Sequence, residues 1–257
     1  MKLLEDKVVF VTGAAQGLGA AYAAHLAREG ARVVVADING AGATAQAEAI
    51  SQDGGRAMAV TIDVRDEASV EAGFAAAVEA FGPIDVLVNN AGGVFGAGPS
   101  ETFTLDQWNQ HLAVNLTGAW LCARAVIPSM KAARSGRIIN ITSTTFDRGL
   151  PTDITPYITS KGGLVGLTRS LAHELGAFGV TVNAVAPGLI PMNKATEGRV
   201  IKGDRLSAIV DLVVNQQCIV RPGEARDLVG AVAYLASDAA AFVTGQVFNV
   251  DGGWAHG

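Results

Sequence analysis

Tyr157 and Lys161 stand four residues apart in a segment of helical character, so their side chains share one face. A phenol beside an ammonium suits proton exchange with an alcohol or carbonyl oxygen. Moving a hydride to or from a carbinol carbon requires such a proton transfer. An unperturbed tyrosine has a pKa near 10, too high for an efficient base at neutral pH. A neighbouring ammonium favours the phenolate. Lowering that pKa by about 3 units takes roughly 4 kcal/mol. Charges a few ångströms apart in a partly dry site can supply this. The same spacing also occurs as an exposed helix pair, so its meaning depends on what else the chain assembles.

A second cluster lies at residues 12–19, TGAAQGLG, directly after the apolar run 8–11. Gly13, Gln16, Gly17, Leu18 and Gly19 form a turn between a strand-like run and an alanine-rich helix. Phosphate binding needs a backbone that approaches the ligand closely and a helix N-terminus aimed at it. Asp37 ends the second apolar run, eighteen residues after Gly19. A carboxylate there can accept hydrogen bonds from both hydroxyls of an adenosine ribose, and it repels a 2′-phosphate. No lysine or arginine lies among residues 8–27 to offset that repulsion. The expected cofactor is therefore NAD and not NADP. The alternative for Asp37 is a strand-end aspartate that caps a turn.

The elements that must carry these residues follow from the pattern of apolar runs. Runs at 8–11, 33–36, 57–62, 84–88, 137–141, 180–186 and 246–250 are rich in Val and Ile and bounded by Gly, Asp or Asn. Such near-continuous runs suit strands buried on both faces of a parallel sheet. Segments of helical length lie between them at 20–29, 41–52, 66–81, 104–133, 155–178 and 224–237. Glycines stop the first three, and the fourth is long enough to kink. The alternation predicts an α/β, doubly wound, Rossmann-type domain spanning residues 1–257. Residues 189–221 break the rhythm and read as a substrate loop or lid, with a short helix at 205–214.

Composition narrows the function classes. The formal charge is −5, which argues against a nucleic-acid partner. Cys122 and Cys218 are far apart and form no CxxC pair, so they read as buried reduced thiols. His173-Glu174 begins a zinc-protease pattern, but Ala177 stands where the second histidine is needed, so no metal is expected. Glu5 and Asp6 interrupt any signal-like start, and no run of eighteen uncharged apolar residues occurs. The expected location is cytoplasmic, with no membrane partner.

The ordered set TGAAQGLG, Asp63-Val64, Asn89-Asn90-Ala91-Gly92, Asn115, Ser143, Tyr157 with Lys161, and Pro187-Gly188 resembles the short-chain dehydrogenase/reductase family. The resemblance runs from Lys7 to about Gly253. It implies seven parallel strands in the order 3-2-1-4-5-6-7, and often a homotetramer. By the same resemblance the Asp63 side chain and Val64 backbone hold the adenine. Asn90, Ala91 and Gly92 support the central strand beside the adenine ribose, and Pro187, Gly188 and Ile190 line the nicotinamide. Ser143 is singled out among the neighbouring hydroxyls of Thr142, Thr144 and Thr145 by the family pattern alone. Asn115 would hold a water that connects the lysine to solvent; a plain kink in the helix is the alternative. Two departures stand out. The gap from Ser143 to Tyr157 is fourteen residues, one more than is usual in the family. Met192 occupies the position of a threonine that usually bonds the carboxamide, and a thioether is only a weak acceptor.

The expected pocket walls are residues 93–98, residues 145–154 and the segment after Pro187. Val94, Phe95, Phe146, Leu150 and Ile154 make them largely apolar. Asp147 and Arg148 read as solvated loop charges, with polar groups of the pocket as the alternative. The reading is an NAD-dependent oxidoreductase acting on a small-molecule secondary alcohol or ketone, apolar and cyclic or aromatic. The alternatives are an NADPH-dependent 3-ketoacyl-thioester reductase and a regulator that senses a dinucleotide without turnover.

Overall fold

The computed structural model describes residues 2–149, 153–191 and 203–255. Seven strands form one sheet: β1 Val8–Thr12, β2 Arg32–Asp37, β3 Arg56–Thr61, β4 Val86–Asn89, β5 Gly136–Ile141, β6 Val180–Pro187 and β7 Val247–Val250. Their order is β3-β2-β1-β4-β5-β6-β7, and each neighbouring pair is parallel. The order reverses between β1 and β4, and the crevice at the carboxyl ends of these strands is where such sheets bind ligands.

Alternate residues of each central strand face opposite layers. Val9 and Val11 join Val33 and Val35 in a core that also holds Tyr22, Leu26, Leu228 and Val232. These last four belong to α1 Gly17–Arg28 and α9 Ala225–Ala236. Val8, Phe10 and Val34 face the other layer, with Phe74, Leu121, Cys122 and Leu171. That layer is built by α3 Glu67–Phe81, α5 Gly118–Ala133 and α7 Thr155–Leu175. Helix α2 Gly40–Gln52 lies between β2 and β3 in the chain.

The remaining helices position the site. Helix α4 Leu105–Leu112 opens with a capping box between Thr104 and Gln107. The chain continues through a π-helical turn, Ala113–Thr117, into α5. The kink expected within 104–133 is therefore a π-turn, and Asn115 sits inside it. The combined stretch Leu105–Ala133 is long and apolar enough, by length and composition, to cross a membrane. Here its buried residues, including Leu121, Cys122, Val126 and Met130, pack into the core instead. Short helix α6 Thr145–Arg148 follows β5, and α8 Gly203–Val214 lies in the region expected to form a lid. Burial pushes the Cys122 thiol up to about 12. Cys218, expected to be buried, is exposed beside the chain terminus, where its Sγ lies 3.5 Å from the Gly253 carbonyl oxygen.

Candidate functional site

The glycine-rich loop is closed by steric necessity. Gly13 and Gly17 have φ of +64° and +63°, the left-handed region that side chains disfavour. At Gly19 a Cβ would stand 2.2 Å from the Gly13 carbonyl oxygen. Gln16 is extended and precedes the first turn of α1, so Gly17, Leu18 and Gly19 form the helix N-terminus. The loop is clamped from β4. Asn90 Nδ2 donates to the carbonyls of Thr12 and Gly13 at 2.9 and 3.0 Å. Thr12 Oγ1 accepts the backbone N–H groups of Asn90 and Ala91, each at 3.0 Å. Thr12 was not singled out from the sequence. Its only signal is a hydroxyl at the end of an apolar strand.

Asp37 does the turn-capping job weighed for it. Its Oδ2 accepts the N–H of Ala15 at 3.0 Å and its Oδ1 that of Asn39 at 2.9 Å, so it ties β2 to the glycine loop. A carboxylate offers about four lone-pair directions, so two backbone bonds leave acceptor capacity for a ribose. Asp63, by contrast, is held by Arg65, whose Nη2 lies 2.6 Å from Oδ2. Those bonds hold its carboxyl below the usual aspartate range. The Val64 side chain packs against Gly118, where a Cβ would stand 2.7 Å from it.

At the carboxyl ends of β4 and β5, the residues expected to handle the proton converge. Lys161 is buried, and its Nζ donates to the Ile141 carbonyl at 2.7 Å. The same nitrogen lies 5.7 Å from the centroid of the Tyr157 ring. Burial pulls the ammonium down to about 8. Asn115 is also buried. Its Oδ1 accepts the Gly93 N–H at 2.8 Å, and its Nδ2 donates to Gly93 O at 3.1 Å and Ser160 Oγ at 3.0 Å. Ser160 Oγ in turn donates to the Tyr157 carbonyl at 2.6 Å. A Cβ at Gly92 would meet Asn115 Oδ1 at 2.8 Å and Lys161 Nζ at 3.2 Å, so the amide and the amine flank one small residue.

The four hydroxyls after β5 are no longer equivalent. Thr142 Oγ1 donates to the Lys161 carbonyl at 2.8 Å, and Thr144 Oγ1 to the Pro187 carbonyl at 3.2 Å. Thr145 Oγ1 donates to Ser143 Oγ at 2.9 Å. The three threonines thus bind the strand end to α7, to β6 and to Ser143. Gly188 is crowded by Asp251, whose Cβ a side chain there would meet at 2.7 Å, and Ile190 is buried in the core. Met192 lies outside the described residues, as do residues 150–152 of the loop between Ser143 and Tyr157.

The expected pocket walls are stitched together by residues the sequence did not mark. His111 Nε2 accepts the Phe95 N–H at 3.0 Å, and its Nδ1 lies 2.7 Å from the Gln107 carbonyl oxygen, which puts the ring proton on Nδ1. Phe95 and Phe103 pack edge-on to that ring. The Gly98 N–H donates to Asp153 O at 2.8 Å, joining two walls. Arg148, expected to be a solvated loop charge, is exposed but lies over the Trp254 ring, 5.3 Å from its centroid, and donates to the Trp254 carbonyl. Trp254 is buried with Ile209, Val213 and Ala255, against Leu189. Asp251 fixes this turn by accepting the N–H groups of Gly253, Trp254 and Ala255. Among the described residues no cluster of His, Cys, Asp or Glu could hold a metal ion.

Residues 13–255 match a family model described as enoyl-(acyl carrier protein) reductase. An uncharacterized oxidoreductase of Mycobacterium tuberculosis is 43% identical over 254 residues, covering 98% of both chains. The (2S)-[(R)-hydroxy(phenyl)methyl]succinyl-CoA dehydrogenase subunit of Thauera aromatica is 37% identical over 250 residues, covering 97% of both. A solved structure titled as a putative short-chain alcohol dehydrogenase from Sinorhizobium meliloti superposes with a TM-score of 0.90 at 35% identity, covering 98% of this chain and 97% of that one. With the seven-stranded parallel sheet and these matches along nearly the whole chain, the protein belongs to the short-chain dehydrogenase/reductase family of oxidoreductases.

Proposed function

We propose that this protein is an NAD-dependent dehydrogenase that interconverts a small, apolar secondary alcohol, cyclic or aromatic, and its ketone. The reaction is alcohol plus NAD⁺ to ketone, NADH and a proton. The observation that carries the reading is the buried Lys161 amine, held by the Ile141 carbonyl and facing the Tyr157 ring. At an effective dielectric near 20, unit charges ~6 Å apart interact by about 3 kcal/mol, or about two pKa units. That is most of what a phenol needs to become a base near neutrality. Tyr157 Oη then takes the hydroxyl proton during oxidation and returns it during reduction. Ser143 Oγ donates a hydrogen bond to the reacting oxygen. Lys161 stabilises the phenolate, and Asn115 holds the path by which the proton reaches solvent.

The cofactor would be held by the 13–19 loop, Asp37, Asp63, Val64, residues 90–92, Tyr157, Lys161, Pro187, Gly188, Ile190 and Met192. When bound, it supplies the two-electron acceptor. The backbone crowding at Gly13 and Gly19 supports a close-approaching pyrophosphate. The Asp37 carboxylate, followed by the uncharged Ile38 and Asn39, supports NAD over NADP. The Thauera relative's name describes a secondary alcohol that bears a phenyl group and is carried on a coenzyme A thioester; the phenyl is in keeping with the apolar walls at Phe95 and Phe146, the thioester with the second reading below.

A second reading, reduction of a 3-ketoacyl thioester by NADPH, is favoured by the likeness to a 3-oxoacyl-[acyl-carrier-protein] reductase of Synechocystis sp., 39% identical over 258 residues. Titration with NADH and NADPH against acetoacetyl-CoA, set beside 1-phenylethanol and cyclohexanol with NAD⁺, separates the two. In the first reading, Tyr157→Phe lowers turnover by about 10³-fold or more while NADH binding, read by its fluorescence, stays within about threefold. Full turnover in that variant contradicts the reading. The same proposal includes a cytoplasmic homotetramer. Exposed Trp120 and Phe242 give it apolar surface to cover, and sedimentation of the purified chain tests it.

A further inference from the structure

We propose that Thr145 is a positioning residue that aims the Ser143 hydroxyl proton at the reacting oxygen; this rests on the role given to Ser143 above. A serine hydroxyl has one proton and two lone pairs. Ser143 Oγ receives the Thr145 hydroxyl at 2.9 Å and the Thr145 backbone N–H at 3.3 Å. With both lone pairs engaged, the serine proton must leave in a third direction. Ser143 and Thr145 are both buried, so bulk water does not compete for these bonds. The neighbouring threonines cannot substitute, because their protons go to the carbonyls of Lys161 and Pro187. Thr145 is also held from below. It opens α6, whose last residue, Arg148, is fastened to Trp254.

The chemistry follows from direction. A donor at Ser143 stabilises negative charge on the alcohol or carbonyl oxygen in the transition state, where a hydrogen bond strengthens most. The reverse bond, with Ser143 donating to Thr145, would spend that proton inside the protein. The two arrangements predict opposite signs for removing the Thr145 hydroxyl. If Thr145 aims the proton, its loss lets the serine rotate and slows turnover. If Thr145 sequesters the proton, its loss releases it and speeds turnover.

The test is a double-mutant cycle on whichever alcohol of the 1-phenylethanol and cyclohexanol pair is oxidised faster with NAD⁺. Thr145→Val keeps the shape and removes the hydroxyl; Thr145→Ala provides a second variant should the first not fold. Either should lower kcat about 5- to 10-fold with KM for the alcohol unchanged, the usual worth of one lost hydrogen bond. Thr145→Ser should restore the rate to within about twofold, as the aiming hydroxyl is retained. In a Ser143→Ala background the valine change should cost less than about twofold, since coupled residues are not additive. Unchanged or faster turnover in Thr145→Val overturns the proposal, and so does a loss that persists in the Ser143→Ala background. A Ser143→Ala enzyme with full activity overturns the role of Ser143 itself, a result distinct from both.

Discussion

The proposed cofactor side and the proposed substrate side of the crevice are built on different principles. On the cofactor side, around β1, β2 and the end of β4, the backbone is packed so closely that side chains are excluded. A Cβ at Gly13 would lie 2.8 Å from the Ala91 Cα, and one at Gly19 2.2 Å from a carbonyl oxygen. On the substrate side, loops are held by specific side chains: His111 on Phe95, Thr145 on Ser143, Arg148 on Trp254. Exclusion by backbone admits one residue type. Fastening by side chains admits many, so that side can be rebuilt for different substrates while the cofactor side stays the same.

The largest expected effect breaks the cofactor side. Gly19→Ala puts a methyl against backbone that cannot move aside, and overpacking of this kind costs about 1–3 kcal/mol or more. We expect NADH binding to be lost and the melting temperature to fall. Retained binding would mean that the loop is looser than its contacts indicate. Next comes Trp254→Ala, on the substrate side. Its cluster with Ile209, Val213 and Ala255 stands apart from the two main cores, so the damage should stay local. The alcohol KM should rise about tenfold, the cost of roughly 1.4 kcal/mol of lost binding, with NADH affinity unchanged. His111→Leu should do less. It leaves the Phe95 N–H without its acceptor, and a rise in alcohol KM of about threefold is expected from a loop held less firmly. Either substrate-side variant weakening NADH binding as much as alcohol binding would erase the distinction between the sides.

How much of this was legible beforehand follows the same division. All seven strands and the longer helices, though not the short α6, were readable from the sequence to within a few residues, because burial on both faces of the central strands leaves continuous Val and Ile runs. The glycine loop was readable because backbone crowding selects glycine. The kink near Asn115 was readable as a break, but its π-helical form depends on packing against Ser160 and Gly93. The hydroxyls at 142–145 could not be told apart by residue type, since their difference lies in which partner each one reaches. Thr12 carried only the weak signal of a hydroxyl at a strand end, and His111 and Trp254 carried none. Their partners are 78, 16 and 106 residues away along the chain, at Asn90, Phe95 and Arg148. Arg148 is exposed as expected, but its contact with Trp254 was hidden for the same reason, and Cys218 was misread. A loop arginine reads as solvated unless an aromatic ring comes to it from elsewhere, and an apolar-seeming thiol reads as buried.

Lys161 links the two sides and carries a stability signature. Its ammonium is lowered to about 8 by burial, from about 10.4 in an unfolded chain. Below pH 8 both states hold the proton, and the folded state bears the burial cost. Between pH 8 and about 10.4 the unfolded state binds more protons, so stability rises with pH across that window. Lys161→Met should lose this dependence and gain about 1–3 kcal/mol at pH 7, less whatever the orphaned Ile141 carbonyl costs. Denaturant titrations at pH 7 and pH 9.5 measure both.

The most direct test of the electrostatic account is the pH profile of kcat/KM for alcohol oxidation in the wild type and in Lys161→Met. The acidic limb reports the proton that must leave Tyr157. Removing the amine should move that limb upward by about two pH units, along with the loss in rate. A limb that stays where it was, whatever the rate, would contradict the claim that Lys161 makes Tyr157 acidic.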